Sequence, residues 1–89
     1  MLAARPNPGK ISTVFTYDVP VPGGSVSLIA YDLSGRRRKV IVSQRQIPGP
    51  YQVTWDGKDE FGHPVRPGVY YLELVYPGGT NMARVVMLR

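Results

Sequence analysis

The sequence predicts an all-β fold, a small immunoglobulin-like antiparallel β-sandwich of about six to seven short strands. Three observations carry that expectation. Apolar and polar residues alternate with period two in segment after segment, and no segment shows a helical period. Turn signals return roughly every ten residues, and 10 Gly and 9 Pro among 89 residues supply them. The length allows one domain with a single modest core. A small closed barrel is the alternative arrangement of the same strands.

Residues 1–10 hold Pro6, Pro8 and Gly9 without periodicity and read as a linker into a domain spanning 11–89. A leading linker suggests a piece of a longer protein. Residues 11–19 form the first expected strand, with Phe15, Tyr17 and Val19 on one face. Residues 25–32 form the second, apolar on both faces and therefore central in its sheet. Asp32-Leu-Ser-Gly35 is a tight turn with Gly35 at positive φ, and the chain returns as a third strand over 36–43. Residues 44–50 read as a connection rich in Pro and Gly. Tyr51, Val53 and Trp55 alternate as a fourth strand, 69–76 is a fifth with Tyr70, Leu72 and Leu74 on one face, and 81–88 is the last.

The chain is organised around the corner from Trp55 to Tyr70. Asp56-Gly57 and Pro67-Gly68 bracket a polar loop with the turn geometries that other residues resist. Trp55 and Tyr70 stand at its two feet, where each should be buried and find one hydrogen-bond partner.

With no cysteine, disulfides and thiolate metal sites are excluded. No apolar run approaches the length of a membrane span, and residues 1–5 are too short for a signal peptide. The formal net charge of +5 keeps a small domain soluble and also permits an anionic partner.

With the strands placed, the chain resembles a known pattern over residues 6–89. The residues that carry it are Pro6-Asn7-Pro8, the run from Val26 through Tyr31, Asp32 and Gly35 to Arg36, the run Val53-Thr-Trp55-Asp56-Gly57-Lys-Asp59, Gly62, and Pro67-Gly-Val-Tyr70. It is similar to the FlgD Ig-like domain and to its relative, the C-terminal sorting domain of type IX secretion cargo. The resemblance implies a module without enzymatic activity or cofactor, at the C-terminus of a bacterial exported protein that works outside the cell or on its surface. It implies a protein partner, and recognition through Gly68, Tyr70, Arg84 and Arg89, because sorting domains carry a Gly-x-Tyr element and a basic-hydrophobic-basic last strand. The chain ends where such cargo ends. The related hook-capping domain implies an alternative, a scaffold or assembly subunit. One position departs from the pattern: Arg38 stands where the family has an apolar residue, which calls for an edge strand or an inward face open to solvent there.

Other constellations are weaker. Asp56, Asp59 and Glu60 form an oxygen-rich loop of the kind that binds Ca²⁺, but not at EF-hand spacing, and aspartates in turns more often bind their own backbone. His63 beside them lacks the second ligand or nucleophile that catalysis needs. The basic run from Arg36 to Lys39 alternates faces on a strand and reads as protection of a sheet edge in preference to nucleic-acid binding, with an anionic cell-surface polymer as a further partner to consider. Tyr71 and Val75, outward on the fifth strand, are the best candidates for a sugar-stacking platform, the third function weighed.

Overall fold

The computed structural model describes residues 2–6 and 12–87. Its strands are β1 (Ala3–Pro6), β2 (Thr13–Val19), β3 (Gly24–Asp32), β4 (Arg37–Gln46), β5 (Gly49–Trp55), β6 (Gly68–Tyr76) and β7 (Gly79–Met87). They form two open antiparallel sheets, β1-β2-β5 and β4-β3-β6-β7. This is a sandwich and not a closed barrel. The fourth strand pairs with β3, whereas in constant-type immunoglobulin domains it joins the sheet of the first two strands.

Alternation places the core as expected. Phe15, Tyr17 and Val19 from β2 face Val26, Leu28 and Ala30 from β3 and Tyr70, Leu72 and Leu74 from β6, all buried. Trp55 closes one end of this core, and Val85 and Met87 of β7 close a flank. β3 lies between β4 and β6, the central place its two-sided apolar pattern predicts.

Two expectations need correction. The stretch read as a linker contains β1, which runs antiparallel to β2 from Ala3 opposite Thr16 to Pro6 opposite Thr13, and Leu2 before it is buried in the core. Pro6 made the segment look like a linker, but a strand with a neighbour on one side only tolerates a residue without an N–H. The connection expected at 44–50 shrinks to Ile47-Pro48, because β4 runs on to Gln46 and β5 begins at Gly49. Gln46 is buried, its Oε1 accepting the Tyr17 hydroxyl at 3.0 Å. Pro50 sits in β5, which among the described residues pairs only with β2. The first strand was expected from Ile11, which with Asn7 and Pro8 lies outside the described residues.

Candidate recognition surface

The corner between β5 and β6 is built from hydrogen bonds that its sequence prescribes. Trp55 donates its indole N–H to the Lys58 carbonyl at 2.9 Å, and its ring meets Tyr70 edge-on with centroids 5.6 Å apart. The Tyr70 hydroxyl donates to the Arg66 carbonyl four residues upstream at 2.5 Å. This is a tyrosine corner, the device by which immunoglobulin-like folds pin a crossing between sheets to the strand that follows it. Tyr51 repeats the contact at the β4–β5 crossing, donating to the Ile47 carbonyl at 2.7 Å while stacking on Tyr17. Val65, donating its N–H to the Gly57 carbonyl at 2.8 Å, plugs the corner from within.

The acidic side chains of the loop are spent on backbone. Asp56 Oδ1 accepts the Lys58 N–H, and Asp59 Oδ1 accepts the N–H groups of Phe61 and His63. The bond from His63 is the main cause holding the Asp59 carboxyl below its ordinary pKa, with the Phe61 N–H adding to it. Gly62 closes the same turn, its N–H donating to the Asp59 carbonyl. Glu60 reaches β4, where its N–H donates to the Arg38 carbonyl and its Oε1 accepts the Val40 N–H. The loop therefore covers the free edge of β4 at 38–40. Among the described residues no group of three His, Cys, Asp or Glu gathers as a metal site.

At the β3–β4 turn, Asp32 Oδ1 accepts from the Ser34 hydroxyl and from the N–H groups of Ser34 and Arg36, and the Ser34 hydroxyl is the main cause holding its carboxyl below the ordinary range. Gly35 sits at φ 86, a left-handed conformation that completes a three-residue hairpin loop. Arg38 is accounted for here. β4 is an edge strand, the pairing skips Arg38 between Ala30–Lys39 and Tyr31–Arg37 as at a β-bulge, and its guanidinium reaches Asp32 Oδ2 at 3.9 Å.

Of the expected recognition residues, the three described ones lie on neighbouring strands but do not share one face. Gly68, at φ 148, opens β6 opposite Met87. Tyr70 faces the core with 6% of its surface exposed. Arg84 points outward opposite Tyr71, and Arg89 lies outside the described residues. The outer face of the four-stranded sheet instead aligns Arg37, Tyr31, Tyr71 and Arg84 in one cross-strand row, flanked by Val69 with Val86 on one side and by Ile29, Glu73 and Met82 on the other. Tyr71 was legible as outward facing; its alignment with Tyr31 and two arginines was not, because it depends on register.

The sandwich with its tyrosine corner defines a class: small immunoglobulin-like modules in which the recognisable residues serve the fold. Residues 5–79 match the FlgD Ig-like domain, and the chain belongs to that family. The family match supports a non-catalytic immunoglobulin-like module. No curated protein matches the chain. Among solved structures, the dimeric latent PorU of Porphyromonas gingivalis is similar with a TM-score of 0.75 and 21% sequence identity, covering 99% of this chain and 9% of that one. At that identity the likeness is one of fold, and the chain spans less than a tenth of the PorU chain. No helix among the described residues is long and apolar enough to cross a membrane.

Proposed function

We propose that this domain is a targeting and interaction module of a bacterial exported protein, serving as a type IX secretion sorting signal or a cell-surface anchor through protein–protein recognition. The observation that carries this reading is membership in the FlgD Ig-like family together with the place of β7 at the margin of the four-stranded sheet. A marginal strand offers main-chain donors and acceptors to a partner strand, and Arg84 and Val86 stand outward beside them. Gly68 and Tyr70 contribute by shaping the corner that sets β6, and through it β7. The fold likeness to latent PorU agrees with this reading. Fusing the chain behind an inert reporter with a general signal peptide, in a host with a type IX system, tests it. Reporter outside the cell only when the domain is attached is expected; periplasmic retention of the fusion contradicts it.

A second reading, a scaffold subunit that packs against like copies, is favoured by the outer sheet face, where Met82 and Val86 are exposed beside Tyr71. Light scattering of the domain separates the two, because a scaffold self-associates at micromolar concentration and a sorting signal stays monomeric.

A further inference from the structure

Two stretches far apart in sequence form the walls of one cleft of about 540 Å³. Asp32, Arg36 and Arg38 of the β3–β4 turn stand on one wall, and Arg66, Gly68 and Tyr70 of the corner on the other. Three arginines and one aspartate thus line the cleft, and the aspartate is largely engaged: Asp32 Oδ1 accepts three hydrogen bonds from its own turn, leaving Oδ2 to Arg38 at 3.9 Å. Among the described residues neither Arg36 nor Arg66 has an ion-pair partner. An excess of unpaired guanidinium in a concave site fits the oxygens of a sulfate, phosphate or carboxylate group, which the planar fork binds with two parallel hydrogen bonds.

The cleft also includes Val69, whose side chain shares the outer face of β6 with Tyr71. From there the cross-strand row of Arg37, Tyr31, Tyr71 and Arg84 extends across all four strands, about 14 Å at the usual strand spacing. Tyrosines on a flat sheet present apolar bodies and polar tips, the chemistry that sugar rings stack upon. An acidic peptide would instead seek a free strand edge, but Glu60 already occupies the β4 edge beside the cleft. We infer that this cleft and the adjoining tyrosine row form a binding site for an acidic polysaccharide, with Arg36, Arg38 and Arg66 holding an anionic group and Tyr31 and Tyr71 supporting the sugar chain.

Titration calorimetry of the whole 89-residue chain with heparin and with polygalacturonate tests this, using polyglutamate as the acidic polypeptide comparison. The expected result is polysaccharide binding that weakens about tenfold or more in Arg36→Gln/Arg66→Gln, the loss of charge-assisted hydrogen bonds, and only about twofold in Arg45→Gln/Lys58→Gln, which removes the same charge elsewhere. Amide shifts of the unaltered protein on heparin addition should concentrate at 31–38 and 66–71, a readout that needs no substitution. Equal weakening by both charge-matched pairs, tighter binding of polyglutamate, or no binding of either polysaccharide overturns the inference. The assay reads the isolated domain, so its result is separate from that of the export test.

Discussion

Replacing Tyr70 by Phe isolates the hydrogen bond on which the corner depends. The ring and its edge-on contact with Trp55 remain; only the hydroxyl that donates to the Arg66 carbonyl at 2.5 Å is lost. An intramolecular hydrogen bond contributes about 1 kcal/mol net, and more when the abandoned partner stays dry. The bond is partly buried beside Tyr70, itself 6% exposed, so water reaches the freed carbonyl only in part. The expected loss is therefore about 1–1.5 kcal/mol, which lowers Tm by roughly 5–10 °C in a domain of this size. Tyr51→Phe is the internal comparison. Ile47, whose carbonyl it would free, is 78% exposed and rehydrates readily, so the cost should be about 0.5 kcal/mol or less. Urea unfolding followed by the fluorescence of Trp55, the one tryptophan, measures both, with an unchanged m-value as the check that the unfolded states match. If Tyr70→Phe is as stable as the parent, or less costly than Tyr51→Phe, the corner is held by something other than this bond.

Further outcomes follow from the same structure. Leu72, with no exposed surface at the centre of β6, should cost about 2–5 kcal/mol when cut to Ala, the largest loss expected here, measured by the same urea titration. Gly35→Ala meets no atom within 4 Å, so the whole penalty is the left-handed backbone at φ 86, about 1–2 kcal/mol; a neutral result would refute that conformation. Asp32 and Asp59 are both held below their ordinary pKa, so their contribution is complete above the unfolded value of about 4 and is lost as pH falls through the lower folded value. Asp32→Asn/Asp59→Asn should flatten the acid limb of Tm against pH, and a limb parallel to the parent's would contradict the assignment. Burial raises the Tyr17 hydroxyl, which donates to Gln46, so stability is fully present below about pH 10 and falls as pH rises through the higher folded value; Tyr17→Phe should reduce that alkaline loss.

Most strands were legible because their inward residues alternate without interruption, as Phe15, Tyr17 and Val19 do. β1 was not, since four residues ending in Pro carry no period, and the reason they form a strand is the ladder that β2 offers them. Gln46 hid the end of β4: a glutamine reads as loop until Tyr17 supplies the partner that lets it be buried. Around Arg38 the bulge shifts the phase of alternation, so the face of each basic residue could not be counted from the sequence. The hydrogen-bond partners wanted by Trp55 and Tyr70 were predictable in kind, and both proved to be nearby carbonyls. The cleft was not legible, because Arg36 and Arg66 come to line one cleft only once β4 joins β3 and the corner crosses to β6.

The proposed reading of this fold by export machinery at its last strand has a direct test. Deleting residues 84–89 would be a poor test, because Val85 and Met87 belong to the core and their loss would unfold the domain. The direct measurement is export of the reporter fusion carrying Arg84→Gln/Arg89→Gln, which leaves those core residues in place, alongside thermal melts of the same variant. A folded variant that is retained in the periplasm, while the parent fusion reaches the medium, is the predicted result. Export of the variant at the parent's level would show that the basic residues of the terminal strand are not what is recognised.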